Sequence, residues 1–219
     1  MVELVHGLRA DDVAANLAHV RERIAATGRD PAEVEILAAV KYVPVDELET
    51  LARAGITLAG ENRAQDLVAK AQALPGRFTW DFIGHLQSRK VRDILPHARY
   101  LHSVASDSVL AQLQRHGTPR TEIMVEVNVA GESGKSGIAA AELRAFLARC
   151  PVTVVGLMTM PPLAAGPEDS RPHFAALRAL AQAHGLRHLS MGTSQDYLVA
   201  VQEGATIVRL GTTLYGRAP

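Results

Sequence analysis

The chain has 219 residues, of which 47% are hydrophobic and 21% charged, and its formal net charge at pH 7 is +0. This balance excludes a general basic surface for nucleic acid or anionic membranes, and the single cysteine, Cys150, excludes an internal disulfide. Residues 1–9 do not resemble a secretory signal, and no stretch approaches the ~18 apolar residues of a membrane span. We therefore expect a cytoplasmic protein without nucleic-acid or membrane partners.

Helical and extended patterns alternate along the chain. An amphipathic helix is predicted over residues 11–26, capped by Asp11 or Asp12. Eight short apolar runs then predict strands over residues 36–41, 56–59, 78–83, 99–103, 122–129, 152–157, 186–189 and 205–210. Between them, helices are predicted over residues 45–54, 62–74, 86–95, from Ser106 or Asp107 to about 116, 139–148, 174–184 and 195–203.

Strict alternation of strand and helix predicts parallel strands joined by right-handed crossovers. Eight such units, closed on themselves, form a (β/α)8 barrel of the TIM type, and the chain is near the lower end of the ~200–250 residues usual for that fold. A doubly wound open sheet is the alternative. No shift in composition divides the chain, so we predict one α/β domain over residues 1–219 with an extra N-terminal helix.

Lys41 directly follows the apolar run 36–40, and Pro44 then prevents simple continuation of the strand. The carboxyl ends of barrel strands form the face where barrel enzymes have their active sites. An amine at that position can react with carbonyl groups. The alternative is a strand-end lysine that simply points into solvent.

Small and hydroxyl residues follow the seventh and eighth predicted strands, at residues 190–194 and 211–213. Helix starts with free N–H groups and hydroxyls bind anions, and barrels often bind phosphate with these two loops. Two ordinary capped turns are the alternative. Arg209, at the end of the last strand, is costly to bury unless it meets an anion or an acceptor. Lysine, phosphate loops and an arginine that can reach a ring nitrogen together suggest pyridoxal phosphate.

Several segments resemble the pyridoxal phosphate homeostasis family (the YggS/PROSC family), and the likeness covers nearly the whole chain. They are Lys41 and residues 60–65, 82–87, 125–128, 156–160, 189–192 and 208–212. The resemblance implies a single-domain barrel of the alanine racemase type, that is, a fold-type III pyridoxal phosphate protein.

The resemblance also implies roles for individual residues. Lys41 would form the Schiff base with the cofactor, and Arg209 would face the pyridine nitrogen. The phosphate would be held by Ser194, Gly211 and Thr212. Asn62 and His85 match positions near the cofactor. No residue is assigned a catalytic role, and the scattered histidines lack the spacing of metal ligands.

Two functions remain open. The first is a protein that holds pyridoxal phosphate and supplies it to apo-enzymes; the second is an amino-acid racemase or lyase. Racemisation needs acid and base groups on both faces of the substrate carbon. Alanine racemases take one of these from a second domain, whereas this chain stops at Pro219, although Tyr42 or His85 could act as a lone base. An arginine at the ring nitrogen also weakens the ring as an electron sink. We therefore favour the carrier, as a monomer without strong catalytic activity.

Three further expectations concern individual side chains. Lys135, in a glycine-rich loop, is expected to be solvated rather than a second amine at the site. One of Glu122 and Glu126 is expected to be buried in the barrel. The segment over residues 157–160 is expected to pack in the core.

Overall fold

A closed barrel of eight parallel strands forms the centre of the computed structural model, which describes residues 4–132, 134–162 and 165–216. The barrel strands are β1 Glu35–Ala39, β2 Leu58–Glu61, β3 Thr79–Phe82, β4 Tyr100–Val104, β5 Glu122–Asn128, β7 Thr153–Met158, β8 His188–Thr193 and β9 Ile207–Leu210. A short additional strand, β6 Ile138–Ala139, pairs in parallel with the carboxyl end of β5.

Closure of the barrel follows from two pairings. β1 pairs with β9 in parallel, with Glu35 opposite Ile207, and β4 pairs with β5, with Tyr100 opposite Glu122. Every barrel strand therefore has a neighbour on both sides. The predicted (β/α)8 barrel is confirmed, and the alternative of an open sheet is wrong.

Helices cover the outside of the barrel, and the predicted N-terminal helix precedes β1. They are α1 Ala10–Ala26, α2 Val45–Arg53, α3 Ala64–Ala73, α4 Val91–Ile94, α5 Asp107–His116, α6 Leu143–Leu147, α7 Arg171–Ala183, α8 Tyr197–Gln202 and α9 Thr212–Tyr215. None of the helices in these described ranges is long and apolar enough to cross a bilayer.

Some helices begin at other residues than predicted. The residue before α1 is Arg9, not Asp11 or Asp12, and no side chain caps that helix. Asp11 and Asp12 lie in the first turn, where their negative charges interact favourably with the helix dipole. Ser106 does cap α5 by accepting a hydrogen bond from the Val109 N–H. α7 begins three residues earlier than predicted, because proline is tolerated in the first turn of a helix.

Consecutive strand residues pack on opposite sides of the barrel wall, as the pleat of a strand requires. Ala38 and Val40 belong to the large core between strands and helices, whereas Leu37 belongs to a separate cluster that fills the interior. The other buried members of that inner cluster are Leu58, Met124, Met158 and Ile207. The barrel is thus a packed core rather than a pore, and the space for a ligand lies at its rim.

Candidate cofactor-binding site

A cavity of about 600 Å³ lies at the carboxyl ends of the strands, a size typical of small-molecule sites. Six of the seven predicted site residues line it: Lys41, Asn62, Ser194, Arg209, Gly211 and Thr212. A cavity of similar volume, about 560 Å³, lies near the opposite end of the strands, so volume alone does not single out a site. What distinguishes the first cavity is the set of polar groups that converge on it.

Lys41 follows β1 in a turn closed by a hydrogen bond from the Val43 N–H to the Val40 carbonyl at 3.0 Å. Its side chain is exposed at the cavity. The ammonium nitrogen lies 4.6 Å from the centroid of the Tyr42 ring, in cation–π geometry. No carboxylate of the described residues forms an ion pair with it, so this amine is available to a ligand.

A buried ion pair beneath Lys41 was not predicted from the sequence. Lys70, on α3, donates to Glu61 and, at 2.7 Å, to the Val40 carbonyl. Glu61 is fully buried at the end of β2 and accepts a hydrogen bond from the Asn62 N–H at 2.8 Å. The pair therefore fixes the backbone of the cavity residue Asn62 and of Val40, which directly precedes Lys41. The predicted strand ends at residue 59, whereas β2 extends to Glu61, so the sequence prediction did not indicate that this glutamate is buried.

Ser194 joins the loops that follow β8 and β9. Its Oγ accepts hydrogen bonds from the Gly211 and Thr213 N–H groups, both at 3.2 Å. Because the oxygen accepts both bonds, the hydroxyl hydrogen is left to donate towards the cavity. Asp196 holds the first loop in place by accepting from the Thr193 N–H at 2.7 Å. The loops therefore present hydroxyl groups to the cavity, whereas the Gly211 and Thr213 N–H groups, which the sequence predicts to be free, are bonded to Ser194.

Arg209 is only 5% exposed, and no carboxylate in the described part of the chain contacts it. Its Nη1 donates to the Ser190 carbonyl at 2.7 Å and its Nη2 to the Thr159 carbonyl at 2.9 Å. Burial lowers the pKa of Arg209 to about 10, against the opposing charges of Asp196 and Glu126. The guanidinium therefore remains charged at neutral pH. Its Nε has no acceptor among the residues described.

The position of Met160 differs from the predicted core packing of residues 157–160. Its side chain is 50% exposed and lines the cavity instead of packing in the core. Its sulfur lies 2.9 Å from Nη2 of Arg209. The other residues of the segment 157–160 are buried as expected, and β7 itself ends at Met158, two residues before Met160.

His85 is the predicted residue that the structure does not bring to this cavity. Its side chain is exposed and lines a smaller neighbouring cavity of about 240 Å³, which shares Asn62 with the first.

Of the two candidate glutamates, Glu126 is buried as expected. Burial raises the pKa of Glu126, and its carboxylate accepts a hydrogen bond from Ser136. Lys135 is exposed and pairs with Glu132.

Two buried polar atoms at the cavity test whether the predicted cofactor fits. The Asn62 Oδ1 and the Tyr215 hydroxyl have no hydrogen-bond partner within the described part of the chain, and both residues line the cavity. Unpaired buried polar groups are costly and call for a partner. An amine, hydroxyl and N–H donors, a charged guanidinium and these two groups together match a small aromatic aldehyde with a phosphate. The residues fit pyridoxal phosphate.

Comparison with known proteins gives a family. The family described as "Alanine racemase, N-terminal domain" matches residues 8–219. The pyridoxal phosphate homeostasis protein of Aquifex aeolicus is 37% identical over 218 residues, covering 91% of this chain and 96% of that protein. The one from Pseudomonas aeruginosa is 37% identical over 217 residues, covering 94% of each.

Solved structures of other proteins share the fold of this chain. PipY of Synechococcus elongatus, solved with pyridoxal phosphate bound, has a TM-score of 0.81 and 32% identity and covers 93% of this chain and 100% of its own. Alanine racemase from Corynebacterium glutamicum has a TM-score of 0.74 at 16% identity, which shows a shared fold alone; the match covers 95% of this chain and 61% of the racemase. This chain belongs to the family of pyridoxal phosphate homeostasis proteins, which share the alanine racemase N-terminal domain.

Proposed function

We propose that this protein binds pyridoxal 5'-phosphate in the 600 Å³ cavity, holds it, and supplies it to apo-enzymes, and so serves pyridoxal phosphate homeostasis. The convergence of a free amine, a hydroxyl-lined loop pair and a charged, buried guanidinium on one cavity carries this proposal. Relatives named for this role, and a PipY structure with the cofactor bound, support it.

Each residue has a proposed part in holding the cofactor. The Lys41 amine bonds to the aldehyde, while Ser194, Gly211 and Thr212 bind the phosphate. Arg209 directs a donor to the ring nitrogen, for which its Nε is free. Asn62 contributes the unpaired Oδ1 to the cavity. His85 is proposed as an outer neighbour of the cofactor, because its cavity adjoins the first through Asn62.

The position of Arg209 also favours a protein that holds the cofactor over one that catalyses a reaction with it. Pyridoxal phosphate supplies an electrophilic aldehyde and a ring that withdraws electrons best when its nitrogen is protonated. Arginine offers donors only, and with a pKa of about 10 the Arg209 guanidinium keeps its proton at neutral pH. A ring nitrogen that accepts from this group stays unprotonated, so the chain supports little carbanion chemistry.

The cavity mouth suits release. Lys41, Tyr42 and Met160 line the cavity and are exposed. An amine of a receiving enzyme can therefore approach the Lys41 linkage from solvent. The working form that we propose is a monomer.

The phosphate loops lead to a direct expectation. Pyridoxal without its phosphate should bind at least about tenfold more weakly than pyridoxal phosphate, because each lost charge-assisted hydrogen bond costs roughly 1.5–3 kcal/mol. Fluorescence titration of the cofactor-free protein with both compounds measures the ratio. Equal affinities would rule out the assignment of Ser194, Gly211 and Thr212.

The choice between carrier and racemase or lyase is decided by two assays on the loaded protein. We expect negligible α-hydrogen exchange of L-alanine and other amino acids in deuterated water, because a ring nitrogen that accepts from Arg209 would stay unprotonated and withdraw electrons poorly. We also expect recovered activity when a pyridoxal phosphate-dependent apo-enzyme is added. Exchange at rates on the order of 1–10³ per second would show an enzyme instead.

A further inference from the structure

A chain of buried hydrogen bonds leads away from Arg209 through the barrel interior. Nη1 of Arg209 lies 2.6 Å from the Ser190 Oγ. The same oxygen lies 2.8 Å from Nδ1 of His102, and Nε2 of His102 lies 3.1 Å from Oδ2 of Asp81. Ser190, His102 and Asp81 are all fully buried. They come from three different strands, so only the closed barrel brings them together.

The direction of every bond in this chain follows from the groups at its ends. Arginine can only donate, so the Ser190 oxygen accepts from Arg209. At the other end, the bonds from Arg99 keep Asp81 a carboxylate, which can only accept, so His102 Nε2 carries a proton and donates to it. Burial favours the uncharged form of the imidazole. His102 Nδ1 is then an acceptor, and it accepts the hydrogen of the Ser190 hydroxyl. This order requires a neutral imidazole in the Nε2–H tautomer.

The far end of the chain balances the buried carboxylate. Arg99 donates to both oxygens of Asp81, at 3.0 and 2.7 Å, and to both oxygens of Glu35, at 2.8 and 2.9 Å. Burial acts to raise the pKa of Asp81, but the bonds from His102 and Arg99 hold it below its ordinary value. Burial lowers the pKa of His102, against the attraction of Asp81 and with the repulsion of Arg209 and Arg99.

We propose that His102, held by Asp81, is a positioning residue for the cofactor: it orients the Ser190 hydroxyl so that Arg209 is fixed with its free Nε towards the cofactor's ring nitrogen. This rests on the proposed function. A carboxylate in direct contact would also fix Arg209, but it would neutralise the guanidinium charge in an ion pair. Here Asp81, the carboxylate of this hydrogen-bonded chain, lies behind a neutral imidazole and a hydroxyl and is paired with Arg99. Arg209 is thus held by neutral acceptors, and its charge remains directed at the ligand.

The first test needs no cofactor, so it is independent of the proposed function. In the ¹⁵N-labelled, cofactor-free protein, NMR correlation of the imidazole nitrogens with the ring protons reports the tautomer of each histidine, and His102→Gln identifies the signal. We expect His102 to be neutral, with the proton on Nε2, across the neutral pH range. A proton on Nδ1, or on both nitrogens, would overturn the proposal.

The second test measures the bound cofactor in variants. Glutamine can accept from Ser190 and donate to Asp81 as the imidazole does, whereas leucine can do neither. We expect Ser190→Ala and His102→Leu to weaken pyridoxal phosphate binding about tenfold, the loss of one charge-assisted hydrogen bond. They should also shift the visible absorbance band of the bound cofactor and its pH titration, and His102→Gln should restore both.

Thr50→Val is the matched control, because it removes a buried hydroxyl from α2, outside the cavity. It should leave the cofactor's band and affinity unchanged. If Ser190→Ala folds and its band and affinity match those of the unaltered protein, the proposal is wrong. It is equally wrong if Thr50→Val causes the same changes as Ser190→Ala. If the unaltered protein binds no pyridoxal phosphate, the proposed function itself fails, and the tautomer measurement still stands.

Discussion

Replacing Lys41 with alanine is expected to reduce covalent capture of pyridoxal phosphate to background. The reason is geometric: Lys41 places its amine at the 600 Å³ cavity, free of any carboxylate partner in the described structure. The measurement is reduction of the loaded protein with borohydride, followed by mass determination of the intact chain and of its peptides. The cofactor should appear on the peptide that contains residue 41 and nowhere else at comparable yield.

Lys135→Ala is the matched control, since it removes an exposed loop lysine that pairs with Glu132. Its capture yield should equal that of the unaltered protein. Undiminished capture in Lys41→Ala would show that another amine carries the cofactor, and Lys135 would then be tested first. Retained non-covalent binding in Lys41→Ala agrees with the proposal, because the phosphate loops and Arg209 are untouched.

Replacing Lys70 with methionine is expected to destabilise the protein by about 3–5 kcal/mol, because it leaves the fully buried Glu61 without its partner. Urea denaturation followed by circular dichroism measures the loss. The Lys70→Met protein should also bind the cofactor more weakly, because Lys70 holds the Val40 carbonyl directly before Lys41. Stability and site geometry thus depend on the same side chain.

The exposed pair between Arg77 and Glu49 provides the comparison. Arg77→Ala should cost no more than about 1 kcal/mol, since solvent screens the pair and its side chains are ordered at an entropic cost. A loss for Lys70→Met as small as this would mean that the buried pair contributes little. The double variant Glu61→Gln with Lys70→Met should recover part of the loss, because it removes the stranded charge.

The barrel was predictable because strands buried on both sides appear as short apolar runs separated by helical periodicity. Lys41 and the loops around Ser194 and Gly211 were predictable because their chemistry lies at the ends of such runs, where the fold must place it. The resemblance added Asn62 and His85, of which Asn62 lines the cavity and His85 lines its neighbour.

The buried polar residues were not predictable in the same way. Asp81, His102 and Ser190 are distant in the sequence, and their pairing depends on which strand residues face the interior. Strands that are apolar on both faces do not reveal the phase of that alternation, and a one-residue shift in it reverses the assignment. Lys70 similarly lies in an ordinary helical pattern, and only the packing of α3 against β2 and β3 reveals its partners.

The pairing of β1 with β9 has a further consequence. Lys41 lies just beyond one of these strands and Gly211 just beyond the other, so a single ligand bound between them touches both edges of the seam where the barrel closes. The cofactor would then act as a cross-link between the first and last units of the fold. A nascent chain could acquire it only after its final strand had docked, and a loaded protein would open at that seam last, with a protection that grows with the logarithm of free cofactor concentration.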